Sequence, residues 1–169
     1  CDASAAAVTI TDARKNTIQF SDPYFKATQA LLVKKGSGIK DLPDLKGKKL
    51  GVQTDTTGQK YAEDQKAANG YTTVVYDDSP SELNAALAGN ADAVINDNAV
   101  VYDFAKDNAG LEVVKEFDTK ENYGLIVAKG DANAAKLVAV INDVLKAAKA
   151  DGTYNTIYKK YFGVDAPTS

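Results

Sequence analysis

Histidine is missing from the 169 residues altogether, and cysteine is reduced to Cys1. Without histidine, Ser–His and Cys–His nucleophile pairs and His-based metal sites are excluded. A lone cysteine excludes an internal disulfide. Cys1 itself can be read as a lipidated first residue, as a reactive thiol, or as a small residue beside a chain end created by truncation. No apolar run approaches the ~20 residues of a membrane helix. The opening CDASAAAVTI has neither the basic stretch nor the long apolar stretch of a signal peptide, so the targeting segment of an exported protein is expected outside this sequence. Charge of one sign is nowhere concentrated: the net charge is −3 with acids and bases well mixed. No charged tail results, and no Lys/Arg stripe with interleaved aromatics marks a nucleic-acid partner. What is present is ordinary globular material, 44% hydrophobic and 25% charged. That suffices for one domain, or for two small lobes sharing a hinge.

Strand-like and helical patterns alternate along most of the chain. Leu50–Gln53 reads as a strand, Thr57–Asn69 as a helix closed by Gly70, and Thr73–Tyr76 as a β-branched strand. Ser79-Pro80-Ser81-Glu82 has the form of a capping box with proline at the first helical position, and Gly89 ends that helix. Ala93–Asn96 is the next strand, followed by a helix over 98–108 and a strand at Leu111–Glu116. Strands separated by helices of this length predict βαβ units and an α/β fold with a parallel sheet. Further on, Tyr123–Ala128 reads as a strand, and Asp131 as the cap of a long helix stopped by Gly152. Leu137, Val140, Ile141, Val144, Leu145 and Ala148 have the spacing of one buried face of that helix. A last helix carries Tyr154, Ile157, Tyr158 and Tyr161 on one side, a stripe expected in core packing rather than as a ligand platform. Ala5–Ile10, Thr17–Phe20 and Ala30–Lys34 are strand candidates with no helix to cover them before Asp41, as if the chain began mid-domain. Gly36-Ser37-Gly38 is the best flexible linker.

Three places could carry chemistry. Arg14 is the one arginine among twenty Lys and Arg residues. A guanidinium grips a carboxylate through two parallel hydrogen bonds; the plainer alternative is a surface arginine paired with Asp12 or Asp22. The second place is Gly51 to Gly58, a strand running into a helix through a hydroxyl-rich loop. Its helix start suits an anion, or is an ordinary cap provided by Thr56 or Thr57. It lacks the Gly-Lys-Ser/Thr of a P-loop. The third is Ala93 to Asn98, where Asp97 could receive an ammonium group at the carboxyl end of a strand, or Asp97 or Asn98 could cap the next helix. Taken together, an arginine and a helix start for a carboxylate plus an aspartate for an amine describe a free α-amino acid.

These residues resemble a known family. Thr9 to Lys15 followed by Phe20-Ser21-Asp22-Pro23-Tyr24 is similar to the signature of polar amino-acid-binding proteins of ABC importers, of the type II periplasmic-binding-protein fold. The resemblance continues through Leu42 to Gln53, Thr56-Thr57-Gly58, Ala91 to Asp97, Tyr123 to Lys129, and Asp151 to Gly163. It implies a two-lobed clamp with mixed or parallel sheets flanked by helices and a two-strand hinge. The larger lobe would comprise 1–34 and 124–169, with its N-terminal part missing, and the smaller lobe 35–122. It further implies that Arg14 holds the ligand carboxylate with Thr9 and the backbone near Ala7, that Thr57 and the Gly58 N–H meet it from the other lobe, and that Asp97 takes the ammonium. Gln53 and Asn96 are placed to read the ligand side chain, while Ser21, Pro23 and Tyr24 look structural. The family often has glycine where Asp55 stands, and a charge there opposes carboxylate binding unless it points away.

The function so implied is extracytoplasmic capture of a polar amino acid by hinged closure, for the membrane permease of an ABC importer. Glutamine is favoured because Gln53 and Asn96 are amides. No catalytic residue, metal or cofactor is expected. A dehydratase on the same fold would need a positioned acid or base that the sequence does not offer. The other alternative is a truncated or domain-swapped form with impaired binding, a homodimer in which a second chain completes the larger lobe. By the same resemblance the region ahead of Cys1 is absent, which favours truncation over lipidation there. The native protein would be periplasmic or extracellular, as a lipoprotein, a soluble protein or a permease-fused domain.

Overall fold

The expected apolar runs fall on strands in the computed structural model of the chain, which describes residues 1–130 and 132–167, although the run expected at Ala30–Lys34 begins at Phe25. They fall into two compact units, Cys1–Lys26 with Asn122–Ser169, and Ala27–Glu121. The sequence reading put residues 27–34 with the first of these, but they pack with the second. Gly36 to Gly38 accordingly lies within the second unit, whereas the chain passes between units at 26/27 and 121/122.

In the second unit, β3 (Phe25–Lys34) runs antiparallel to β6 (Ala93–Asp97), with Gln29 opposite Asp97 and Val33 opposite Ala93. β6 is parallel to β4 (Lys49–Gln53), and β4 to β5 (Thr72–Tyr76). Alternate residues of these strands enter two different cores. Leu31, Val33, Leu50, Val52 and Ile95 pack with Ala62 of α2 (Thr57–Asn69). Ala30, Leu32 and Val94 pack with Leu83 and Ala86 of α3 (Ser79–Ala88) and Val101 of α4 (Asn98–Asp107). A sheet buried on both faces explains why β4 and β6 read as continuous apolar runs. Each fully buried Leu, Ile or Val contributes about 1.5–3 kcal/mol.

The helix ends follow local chemistry. Thr56 caps α2 by accepting from the Gln59 N–H at 3.0 Å, and Gly70 closes it at φ 71°. The cap of α3 differs from expectation. Asp78 accepts the Ser81 N–H at 2.8 Å, so Ser79 is inside the helix and Glu82 is not its capping-box partner. Glu82 instead turns inward beside Leu83, Ala85 and Ala86 and is completely buried.

In the first unit, β1 (Ala3–Thr9) and β2 (Ile18–Phe20) each pair antiparallel with the end of β7 (Leu111–Ala128). The two strands expected at 111–116 and 123–128 are one, with Lys120 at φ 59° marking the expected break. Between β1 and β2 lies a four-residue helix, α1 (Asp12–Lys15), too short to leave a periodic signal. Gly124 permits close packing, since a Cβ there would stand 2.9 Å from the Phe20 ring and 3.1 Å from Ile10.

The helices α5 (Ala132–Ala150) and α6 (Thr153–Phe162) correct two expectations. The inner face of α5 runs through Ala134, Leu137, Val138 and Ile141, whereas Val140 and Val144 are 59% and 61% exposed. On α6, Tyr158 and Phe162 pack on Phe25, and Tyr154 stacks toward Tyr158, while Ile157 and Tyr161 face outward. Both stripes mixed two helix faces: residues three apart spread over a wider arc than the buried one. Asp131, the expected cap of α5, lies outside the described residues.

Candidate functional site

The expected site residues fall in both units, and each set is organised separately. In the first unit Thr9, buried at the end of β1, offers its carbonyl to the Arg14 guanidinium, whose Nη1 donates at 3.0 Å. Thr11 caps α1 by accepting the Arg14 N–H at 3.2 Å. A strand end and a one-turn helix thus fix the arginine at backbone and side chain alike. Asp12, one of its suggested surface partners, pairs with Lys15 at 3.0 Å. Ala7 sits at an irregularity of β1, at φ 51°, in the left-handed region an alanine rarely adopts. Its backbone hydrogen-bonds the Tyr24 phenol, whose pKa burial raises and this bond partly offsets.

Ser21 bonds backbone and side chain to β7, the Leu125 N–H reaching its hydroxyl at 3.0 Å, and Tyr24 accepts the Tyr154 hydroxyl at 2.6 Å. An open pocket of about 470 Å³ in this unit, lined by Ile18, Phe20 and Pro23 among others, contains none of the expected site residues.

In the second unit, the carboxyl ends of β4 and β6 and the start of α2 bring Gln53, Thr57, Gly58, Asn96 and Asp97 to one edge of the sheet. Because side chains alternate along a strand, adjacent Asn96 and Asp97 enter different networks. On the α2 face the centre is Gln29, a residue the sequence reading passed over. Its side chain is fully buried, and its Nε2 donates to Asp97 Oδ1 at 2.6 Å, Glu121 Oε1 at 3.0 Å and Thr57 Oγ1 at 3.4 Å. Thr57 donates its own hydroxyl proton to Glu121 Oε2 at 2.6 Å, and Thr119 donates to Glu121 Oε1 at 2.6 Å. Gly58 is required here, since a Cβ would meet Gln29 Oε1 at 2.6 Å. Thr56 takes the N–H groups of Gln59 and Lys60, leaving those of Thr57 and Gly58 without an acceptor among the described residues. Asp97 stands at the cap position of α4 but makes no side-chain cap bond. Its carboxylate is turned to Gln29 instead.

On the α3 face, Asn96 Oδ1 accepts the Asp97 N–H at 2.8 Å, and Asn96 Nδ2 donates to Glu82 Oε2 at 2.5 Å and to Gln53 Oε1 at 3.4 Å. Ser79 donates to the same Gln53 oxygen at 2.6 Å. Burial pushes the Glu82 carboxyl up to about 8; the Asn96 hydrogen bond opposes this and the Asp97 charge adds to it. Asn96 is therefore committed at both amide atoms, and Glu82 and Ser79 are participants that the sequence reading missed. The available signals were Gln29, directly ahead of the apolar run Ala30–Val33 of β3, and a glutamate beside the apolar positions of α3.

Asp55, one residue before the α2 cap, is at φ 57° with its N–H on Gln59 Oε1 at 2.8 Å. It is exposed, in a backbone conformation that suits glycine. Among the described residues no group of histidine, cysteine and carboxylates could hold a metal, and no helix is long and apolar enough to cross a membrane.

The chain as a whole is similar to known proteins. The chain is 40% identical over 166 residues to the ABC transporter glutamine-binding protein of Bacillus subtilis, covering 97% of this chain and 59% of that one. It is 36% identical over 164 residues to ABC transporter arginine-binding protein 1 of Escherichia coli, covering 95% and 66%. It therefore spans less than two thirds of the length of these relatives. A solved structure described as an ancestral arginine-binding protein bound to glutamine superposes with a TM-score of 0.87 at 42% identity, over 96% of this chain and 72% of that one. The fold is thus the α/β periplasmic-binding-protein fold, represented in part. Residues 1–164 match the family model of bacterial extracellular solute-binding proteins, family 3, whose members bind solutes and are not enzymes, and the chain belongs to that family.

Proposed function

We propose that this chain carries the ligand-gripping residues of an extracytoplasmic binding protein that captures a polar L-amino acid, glutamine by preference, for the permease of an ABC importer. The observation that carries the reading is the convergence on Gln29: one amide nitrogen lies within 3.4 Å of Thr57 Oγ1 and 2.6 Å of Asp97 Oδ1. A carboxylate acceptor for an ammonium and the N-terminal N–H groups of a helix thus stand side by side on one sheet edge, an arrangement fitted to a zwitterion. Arg14, held on the Thr9 carbonyl, supplies the carboxylate-binding cation of the other unit. Hinged closure brings both sets to the ligand, and contacts made only in the closed form favour that form. The relatives named for glutamine and arginine support an amino acid as the ligand.

The test is titration calorimetry and thermal shift against the twenty amino acids, with Arg14→Ala and Asp97→Ala. One or two polar amino acids are expected to stabilise the chain and to lose their effect in both variants. Binding that survives either substitution removes these residues from the site.

A further inference from the structure

Glu82 is a carboxyl group with no cation beside it. It is completely buried, its Oε2 takes the Asn96 amide at 2.5 Å, and its Oε1 has no hydrogen-bond partner among the described residues. The elements packed around it supply little charge. From β4 comes the neutral Gln53, bonded to Ser79 of α3 itself, and from β5 the ring of Tyr76. From β3, β7 and α4 come apolar side chains, Leu32, Leu111 and Val101. Asp78 is exposed at the start of α3, Lys34 stands at its far end against Gly89, and the Tyr102 hydroxyl of α4 is turned to Glu116. The charge that acts on Glu82 is that of Asp97, and it opposes ionisation. A carboxyl buried among neutral groups beside another carboxylate keeps its proton.

Asp97 is joined to this acid through Asn96, whose oxygen accepts the Asp97 N–H at 2.8 Å while its nitrogen donates to Glu82. Asp97 is also the residue read above as the acceptor of the ligand ammonium. One carboxylate therefore serves two purposes: its charge holds the proton on Glu82, and a cation placed on it cancels that hold. We propose that Glu82 is a proton-release site coupled to ligand capture, giving up its proton to solvent as the ammonium of an amino acid settles on Asp97. The Glu82 O–H bond breaks, its electron pair stays on the carboxylate that accepts from Asn96, and a buffer base takes the proton. The inference rests on the amino-acid reading for the place of the ammonium and adds an affinity that depends on pH. The bound chain holds fewer protons than the free chain, so binding tightens as pH rises through about 8, where Glu82 titrates in the free chain. Stability of the free chain moves the opposite way over the same range, so a merely structural role for Glu82 does not give this signature.

A neighbouring charge at contact distance moves a carboxyl midpoint by about 1–3 pH units, and through one intervening asparagine the effect is taken as about half to one. That corresponds to about 0.3–0.4 proton released per ligand at pH 8, and to a Kd about two- to sixfold lower at pH 8.5 than at pH 6.5. Calorimetry with L-glutamine, or with the tightest binder of the twenty amino acids, in buffers of different ionisation enthalpy reads both quantities. Each is taken as the difference between the unmodified chain and Glu82→Gln, which cancels the ligand's own titration. If Glu82→Gln has no thermal transition, infrared spectra of the unmodified chain at pH 8 decide instead. The carbonyl band of a protonated carboxyl is expected in the free chain and should weaken when the amino acid binds. Equal proton release by the two chains, uptake that depends on Glu82, or a carboxyl band indifferent to ligand overturns the coupling and leaves the amino-acid reading intact. Silence of both chains toward all twenty amino acids overturns the two together.

Discussion

Substituting Gly58 by alanine sets two known effects against each other. The new Cβ would stand 2.6 Å from Gln29 Oε1 and at an ordinary 3.4 Å from the Ile95 carbonyl oxygen, so Gln29 is the obstacle. Gln29 has nowhere to retreat, because it is fully buried and its Nε2 is held by Asp97 and Glu121. Overpacking of this kind costs about 1–3 kcal/mol. Against it, alanine gains up to ~1 kcal/mol over glycine in a helix, and less in the first turn. Gly58→Ala should therefore destabilise the chain by about 1–2 kcal/mol. In a Gln29→Ala background the obstacle is gone and only the propensity gain remains, so the same substitution should stabilise by a few tenths to ~1 kcal/mol. Urea unfolding of the four chains measures the coupling as a double-mutant cycle, read from midpoints at constant slope. The sign reversal is the signature. An equal cost of Gly58→Ala in both backgrounds would refute the claim that Gln29 is what demands a glycine.

Glu82 makes stability depend on pH in a window of its own. Its folded value of about 8 against the ordinary 4.5 means that the folded chain prefers the neutral acid. Its contribution is fully present below about pH 4.5 and is lost as pH rises through 8, roughly 5 kcal/mol in all at about 1.4 kcal/mol per pH unit. Urea midpoints from pH 5 to 8 should fall for the unmodified chain and stay level for Glu82→Gln; a level curve for both contradicts the burial argument. Asp55→Gly relieves a left-handed aspartate and should raise stability by about 0.5 kcal/mol. If the exposed Asp55 charge also opposes a ligand carboxylate, the same variant tightens amino-acid binding in calorimetry, whereas loss of stability would mean that its backbone is not strained. Val140→Lys and Val144→Lys should each change stability by less than about 0.5 kcal/mol. Ile141→Ala on the inner face of α5 should cost about 2 kcal/mol in the same melts; equal costs would reinstate the stripe that the spacing suggested.

Where the chain announces its own geometry, sequence and structure agree closely. Thr56 and Gly70 bracket α2 because a hydroxyl cap and a left-handed glycine are local requirements, decided within a turn of the helix end. The apolar runs of β4 and β6 are legible for a similar reason, as burial on both faces leaves no alternation to misread. The short helix α1 and the faces of α5 and α6 were less legible. One turn has no period, and spacing of three or four residues tells which side chains share a face without telling how wide the covered arc is.

The candidate site shows a sharper limit. Ser79-Pro80-Ser81-Glu82 satisfies the local pattern of a capping box, yet Asp78 takes the cap and Glu82 is drawn inside by an asparagine fourteen residues away. A carboxyl buried there tolerates its position because Asn96 donates to it and because it takes up a proton as its pKa rises. Gln29 is likewise meaningless within its own strand; it acquires a role only when β6 places Asp97 opposite and β7 brings Glu121 within 3.0 Å. The side-chain alternation of a strand then explains why Asn96-Asp97 cannot be read as one motif. Adjacent residues of β6 face opposite helices, so the aspartate joins the network at the start of α2 and the asparagine joins the one beneath α3. The Asp97 N–H on the Asn96 oxygen links the two. Residue types at strand ends thus mark where a ligand can bind, but the direction in which each amide presents its donor follows from pairings across the sheet.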